Sequence, residues 1–313
     1  METQIVFRAY RAGDEAAILR FLNRESATAC TLDEWSWLLP PREDGRLIVV
    51  GDRDGEIVAT CAGAPTLVRM HDREWTAIEL HQVIASDDTA PLVDAFLETF
   101  GADGRFALVL ATHTQAAEAA AGFVAAAQRG PVFVRGQPSS VSVARMFYRA
   151  DPARDWEPRL DDLWKRVRKS YPSAVVRDAD RALCRFAAHP SIRFERFLVC
   201  PRFSSRVVAS AVFTLKDDCL RWVDLVWDHD HSGALELLAF ISGRLAGQLG
   251  AKREELWLAG DNEAPSLLMK AGFSPEEPSA APVLAARALV PEIDADEFVA
   301  SRFLALAVAG GFA

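Results

Sequence analysis

The sequence repeats itself at an offset of 150 residues, and a missed repeat would mis-assign the whole fold. Arg46–Val50 (RLIVV) and Arg196–Cys200 (RFLVC) are both short apolar runs rich in β formers. Asp54–Thr60 (DGEIVAT) and Ser204–Ser210 (SSRVVAS) keep the same offset, with Asp54-Gly55 the hairpin signal of the first copy. The register then drifts, as a shorter second hairpin requires, so that Trp75 is answered by Trp222. It recovers downstream, where Leu108–Ala111 (LVLA) matches Leu256–Ala259 (LWLA) at an offset of 148 and the Gly-Phe pairs that follow return to 150. Each of these runs is followed by a helical segment that ends in Gly-Phe, Gly122-Phe123 and Gly272-Phe273. Glycine past the last turn is the usual left-handed helix stop, and the phenylalanine starts the next strand facing inward. Four matches in register over a whole half require a shared fold.

The length of 313 residues suits two ordinary cores. With 50% hydrophobic and 25% charged residues the chain is globular, not fibrous or disordered. Each copy reads strand, helix, helix, three strands, helix, strand, helix, strand. In the first copy the pattern places strands at 5–11, 47–52, 56–68, 75–85, 106–113 and 131–135, and helices at 14–27, 32–39, 91–100 and 114–127. The second copy starts less clearly, with helices at 160–170 and 178–188 before its three strands. A long helix follows at 233–249, then a strand at 255–259, a helix at 263–270 and a strand near 282–289. The proline-, Ser- and Asp-bearing stretch 136–159 reads as a connection. The expected domains are therefore 1–138 and 160–313, joined by 139–159, in the α/β (α+β) class. Each is expected to be a mixed, mostly antiparallel sheet flanked by helices.

A net charge of −9 and a pI near 5.3 argue against nucleic acid, whose affinity comes from Lys and Arg replacing counterions. Lys165, Arg166, Arg168 and Lys169 read as the solvated face of one helix. Five cysteines, an odd number with no CxxC pair, suit buried thiols in a reducing compartment and indicate neither disulfides nor a metal. No apolar run reaches the ~18–20 residues of a membrane span, and the N-terminus lacks a signal pattern, so a cytoplasmic protein is expected. The apolar tail from Phe303 is expected to dock on the second unit as a strand or helix.

Chemistry is sought on the central strand of the first copy. Glu79 and His81 are two apart and so share one face, with Val83 expected to continue it. The turn that follows, Ser86-Asp87-Asp88, reads as an acidic helix start matched to the helix dipole. In the second copy the turn is Trp227–Ala234 (WDHDHSGA), which keeps Gly233; His229 and His231 read as part of a solvated turn, with an anion seat or a metal as the alternatives. Cys61 and His113 read as a small buried thiol and an unrelated strand-end histidine. At most one of Trp35 and Trp37 can line a cleft, because residues two apart on a helix do not share a face.

This order of elements resembles the GNAT acetyltransferase superfamily. Asn262–Phe273 (NEAPSLLMKAGF) is similar to the family's closing motif of an Asn, a small residue and a terminal Gly-Phe. Arg8–Glu15 (RAYRAGDE) resembles its first strand and helix start, and Leu32–Trp37 (LDEWSW) a tryptophan-bearing segment of tandem-domain members. The resemblance implies transfer of an acyl group, usually acetyl, from acetyl-CoA to an amine. It makes Glu79 and His81 the general-base candidates, places the donor along Val83, Ile84 and Ala85 toward Thr89 and Ala90, and adds Asn262 to the cofactor set.

Two departures weigh against activity. The family's Arg-Gly-x-Gly-x-Gly/Ala phosphate turn is replaced throughout, with Asp88 at the arginine, Thr89 and Pro91 at the first two glycines and Val93 at the third. The tyrosine that often serves as general acid is missing before both Gly-Phe pairs. Three functional classes therefore stand open: a CoA-dependent N-acyltransferase acting on a small amine, an inactive binding or scaffolding protein, and an enzyme taking its acyl group from a carrier protein's phosphopantetheine.

Overall fold

A computed structural model describes residues 4–26, 29–43, 45–102, 104–111, 122–125, 131–136, 142–261, 263–276 and 284–305. In chain order the first elements are β1 (Val6–Ala9), α1 (Glu15–Glu25), α2 (Leu32–Leu38), β2 (Leu47–Arg53), β3 (Glu56–Met70) and β4 (Arg73–Ala85). Then come α3 (Ala90–Phe100), β5 (Leu108–Ala111), β6 (Val124–Ala125), β7 (Val132–Arg135), β8 (Tyr148–Pro152), α4 (Arg159–Val167), β9 (Ser173–Val175) and α5 (Ala179–Ala182). The chain continues through β10 (Glu195–Pro201), β11 (Ala209–Lys216), β12 (Cys219–Trp227), α6 (Ser232–Leu249), β13 (Arg253–Ala259) and α7 (Ala264–Lys270). It closes with β14 (Ser274–Glu276), β15 (Ala285–Ala288), α8 (Ala295–Ser301) and β16 (Arg302–Ala305).

These elements form two compact units, each with a mixed seven-stranded sheet. The first sheet runs β1-β2-β3-β4-β5-β15-β6, antiparallel except for the parallel pair β4-β5. The second runs β8-β10-β11-β12-β13-β7-β14, with β12-β13 parallel. The predicted meander, helix and parallel strand are thus present twice.

The units are not the contiguous segments 1–138 and 160–313. Strand β7, expected to close the first sheet, lies between β13 and β14 of the second, and β15, expected to close the second, lies between β5 and β6 of the first. The physical reason is visible at Arg135. Its guanidinium, 1% exposed, donates to both oxygens of buried Glu254 on β13 at 2.8 and 2.9 Å, and to the carbonyls of Ala239 and Ala271. A buried arginine needs such a partner, and the position aligned with Glu254 in the first copy is Phe106. The glycines of both Gly-Phe pairs have positive φ, 83° at Gly122 and 91° at Gly272, and each passes an arginine of the exchanged strand: Arg287 at Gly122 and Arg135 at Gly272.

The supposed connection also holds structure. Residues 148–152 form β8, the edge strand of the second sheet, paired with β10. Tyr148-Arg149-Ala150 repeats Phe7-Arg8-Ala9 of β1, a match hidden by the change of offset. Of the helix expected at 114–127, residues 114–121 and 126–127 lie outside the described residues, as does His113, and Val124–Ala125 is strand. The tail expectation holds for Arg302–Ala305, which pairs with β13 and β9 in the second unit. On α4, Leu160, Leu163, Trp164 and Val167 are buried at helical spacing, which leaves Lys165, Arg166 and Lys169 exposed.

Sequence dictates the first unit's layers plainly. Ile78 and Leu80 of β4 pack with Leu92, Val93 and Phe96 of α3, while Ile18, Phe21 and Leu22 of α1 and Trp35 of α2 cover the other face of β2 and β3. Thr31 and Glu34 form a reciprocal capping box that fixes the start of α2. Asp14 ahead of α1 is held by Arg8 of β1 at 2.7 Å, so the Arg8–Glu15 segment locks the first strand to the first helix. Among the described residues no helix is long and apolar enough to cross a membrane.

Candidate active site

The last described residue of β5, Ala111, pairs with Leu80 of β4, and β4 runs on to Ala85. Glu79 and His81 flank this point of the strand, 2% and 4% exposed, opposite Ala64 and Ala62 of β3. The small β3 residues leave room over these two side chains, and both face the layer that α1 and α2 cover. The expected pair is therefore real as a shared face.

Val83 does not continue that face. Gln82 has φ of 52°, and the pairing of β4 with β3 slips there, so that Thr60 faces Ile84 while Ala62 faces His81. One extra residue in a strand shifts the alternation by one. Val83 consequently turns into the α3 core with Ile78 and Leu80, and Ile84 takes up the side of Glu79 and His81. The run His81-Gln82-Val83-Ile84, where polar and apolar residues cease to alternate, was the legible trace of this bulge. Gln82 is the residue that a strict period of two overlooks.

The surroundings are rich in buried polar atoms. Thr60 Oγ1, Gln82 Oε1 and Trp35 Nε1 have no hydrogen-bond partner among the described residues. Buried polar atoms are as a rule hydrogen-bonded, so these mark a place suited to the polar groups of a bound molecule. Gln82 donates through Nε2 to Cys30 Sγ at 3.9 Å. Of the two tryptophans, Trp35 is fully buried and carries the Arg46 guanidinium 4.3 Å over its ring. Cys61, opposite the bulge, is fully buried, and burial pushes its thiol pKa well up, which leaves it without nucleophilic character.

Beyond β4 the turn behaves as an acidic helix start. Asp88 Oδ1 accepts the N–H of Ala90 at 3.0 Å, and Asp87 pairs with Arg53. Thr89, the residue before α3, makes no side-chain cap, and Pro91 occupies the first turn, where a missing N–H costs the helix little. A carboxylate of the chain thus takes one of the N–H groups that a phosphate would need.

The second unit handles the same region differently. Across the 150-residue repeat Ala62 answers Val212 and Thr60 answers Ser210; Ala62 faces His81 while Val212 faces Asp224, and Thr60 faces Ile84 while Ser210 faces Val226, so Asp224 holds the position of His81 and Val226 that of Ile84. Asp224 is tied to Arg177 at 2.8 Å. Where β12 leaves β13, Leu258 and Ala259 pair with Ala305 and Leu304 of β16, which also contacts β12. Trp227 Nε1 donates to Asp261 at 2.8 Å, Tyr171 donates to the Trp227 carbonyl at 3.1 Å, and Asp261 caps α7 by accepting the N–H groups of Glu263 and Ala264 at 2.9 Å.

His229 stacks 4.4 Å from Trp227, with Nε2 3.5 Å from the same Asp261 oxygen. That carboxylate raises the His229 pKa. Burial alone would raise the Asp261 pKa, but His229, the two helix N–H groups and Trp227 together hold it below the usual range. The retained glycine serves packing: a Cβ on Gly233 would stand 2.7 Å from the ring of Tyr148, whose hydroxyl lies 3.2 Å from His231 Nδ1. Asn262 lies outside the described residues.

Two mixed sheets, each with an antiparallel meander, a helix and a parallel strand, make up the GNAT fold, and comparison with solved structures shows it. A GCN5-related N-acetyltransferase from Kribbella flavida superposes with a TM-score of 0.68 at 14% identity, over 92% of this chain and 71% of that one. A conserved protein from Enterococcus faecalis V583, described as a probable N-acyltransferase, gives 0.65 at 12% identity over 92% and 73%. The N-myristoyltransferase of Saccharomyces cerevisiae with bound myristoyl-CoA gives 0.58 at 11% identity over 91% and 79%. No family model matches the sequence, and no curated protein does.

Proposed function

We propose that the chain is a CoA-dependent N-acyltransferase whose chemistry resides in the first unit. The observation that carries this reading is the pair Glu79 and His81, buried on one face of β4 opposite the small residues Ala64 and Ala62. An acyl-CoA thioester would lie along β4 from His81 to Ala85, hydrogen-bonding to the strand, with its phosphates toward Thr89 and Ala90. A small amine would sit over Glu79 and His81, among Thr60, Gln82 and Trp35.

Glu79 or His81 takes the proton that the ammonium must lose, directly or through water. The free amine then attacks the thioester carbonyl, the C–N bond forms, the nitrogen gives its surplus proton to solvent, and the C–S bond breaks as the tetrahedral species collapses. The thiolate leaves with its electron pair and is protonated by solvent, because no tyrosine stands before Gly122. The second unit is read as a supporting copy: β16 lies where the donor would pair, and Asp224 is engaged by Arg177. Asn262, placed in the cofactor set by resemblance, belongs to that copy and plays no part in this mechanism.

Titration calorimetry with acetyl-CoA at low salt, with thermal shift alongside, tests the proposal. Micromolar binding supports it, and lack of stabilisation at millimolar ligand overturns it, since a ligand specific for the native state must raise stability.

One observation favours a second reading. The acidic turn, with Asp88 on the Ala90 N–H, is better suited to the phosphopantetheine arm of an acyl carrier, which lacks the adenosine-side pyrophosphate. Binding of an S-acetyl phosphopantetheine without binding of acetyl-CoA selects that reading. Binding of neither selects the non-catalytic scaffold.

A further inference from the structure

The second unit contains a cleft of about 350 Å³, within the range of small-molecule sites, that the acyl-transfer reading does not use. Its floor is apolar, built from Phe197 of β10 and Leu237, Phe240, Ile241 and Leu245 of α6. Its remaining walls carry four arginines, Arg145, Arg149, Arg202 and Arg244, and no carboxylate. In a chain of net charge −9 this is a local reversal of sign.

The arginines are placed by one another's main chain. Arg149 Nη1 donates to the carbonyl of Arg202 at 3.2 Å, and Arg202 Nη1 donates to the carbonyl of Arg145 at 2.9 Å. The Arg145 guanidinium rests 5.0 Å over the ring of Phe240. Arg244 follows Phe240 by one helical turn and makes no hydrogen bond or ion pair among the described residues. Of the nearby carboxylates, Asp151 pairs with Arg149 at 3.0 Å and Glu236 accepts from Ser142 at 2.7 Å, which leaves Arg145, Arg202 and Arg244 without a carboxylate among the described residues. Cations gathered over an apolar floor repel one another until an anion joins them, and an apolar floor is best covered by a chain or ring.

We propose that this cleft binds an amphipathic organic anion, a carboxylate or phosphate head on an apolar chain, with the head between Arg145, Arg202 and Arg244 and the chain on Phe240, Ile241 and Leu245. The site is separate from the acyl-transfer face of the first unit and stands whether or not that reading holds. Met146, Phe147 and Phe203, each next in sequence to a lining residue, are 62%, 62% and 99% exposed, so the anion could be taken free or from a lipid surface.

The test is calorimetry on the full chain with octanoate and octyl phosphate, against octan-1-ol and inorganic phosphate, and co-sedimentation with phosphatidylglycerol and phosphatidylcholine vesicles. The expected result is saturable 1:1 binding of the two chain anions and none of the controls. Arg244→Glu and Arg145→Glu, both at exposed positions, should each weaken binding by about tenfold or more at an unchanged Tm. Binding confined to phosphatidylglycerol vesicles and lost in both variants assigns the head to a lipid; binding of free octanoate assigns it to a soluble anion. Equal binding of octan-1-ol or of inorganic phosphate, undiminished affinity in both variants, or no binding to anion or vesicle overturns the proposal.

Discussion

In the first unit the central strand presents two buried titratable side chains, Glu79 and His81, on one face; in the second, β16 pairs with the end of β13 and Asp224, at the position of His81, is locked to Arg177. Around Trp227 the second unit ties its polar groups together through Asp261 and Tyr171, whereas around Glu79 the first keeps Thr60 Oγ1 and Gln82 Oε1 without partners among the described residues. On the proposed function, one scaffold uses the same strand end for stability in one unit and for chemistry in the other. A satisfied network rigidifies, while buried polar groups left over are the usual mark of a site.

The sharpest way to break this comparison is to remove the carboxylate that each unit places on this stretch of its central strand. Glu79→Gln is expected to lower kcat for acyl transfer by about 10²–10⁴-fold, the range of a general base, with the thermal transition nearly in place. Asp224→Asn is expected to leave transfer at the wild-type rate. Thiol release from acetyl-CoA measures both. An equal loss in the two variants would erase the distinction between the units.

Next in size is the closed network of the second unit. Asp261→Ala removes two N–H acceptors at the start of α7 and the partner of the Trp227 indole, and should cost about 2–4 kcal/mol. Asp261→Asn, which still offers an oxygen to the helix, should cost less. Denaturant unfolding decides; equal losses would show that charge, not capping, carries the effect.

The acidic turn of the first unit gives a smaller effect of opposite sign. Asp88→Gly frees the Ala90 N–H and removes a carboxylate from the proposed phosphate path. A gain on the order of 1 kcal/mol, about fivefold in the Kd of acetyl-CoA, is expected. Unchanged or weaker binding would mean that the phosphates do not pass Asp88.

What the sequence made legible follows from what repeats locally. Apolar runs such as 46–50 and 196–200, and the Gly-Phe pairs, are spelled by nearest neighbours, so strands, helices and the twofold plan could be read. The exchange of β7 and β15 could not, because it depends on Arg135 meeting Glu254 across 119 residues. Strand β8 was lost among prolines, although Tyr148-Arg149-Ala150 repeats the first strand. At the site, Glu79 and His81 follow from strand alternation alone, while Gln82 required the backbone to reveal its left-handed turn. The role of Gly233 was misleading in the sequence, since the same missing Cβ that suits a phosphate here admits Tyr148.

The smallest expected effect tests whether the second unit's network is electrostatic. His229 has a raised pKa because the Asp261 carboxylate faces it, so its charged form is favoured in the folded state. A group whose pKa rises on folding contributes fully below its unfolded value, near 6.5, and its contribution disappears as pH climbs through the folded value. Asp261, with a lowered pKa, contributes above about pH 4 and loses that contribution as pH falls. The pair is therefore at full strength in the mildly acidic range. His229→Gln should cost under about 1 kcal/mol there, since His229 is only half buried, and should flatten the decline of Tm between about pH 6 and 8 that the wild type shows. Thermal scans across that range, with Asp261→Asn as the matched control, measure the slope. If the histidine variant retains the full slope, the interaction of His229 is stacking on Trp227, and the closed network owes its stability to hydrogen bonds alone.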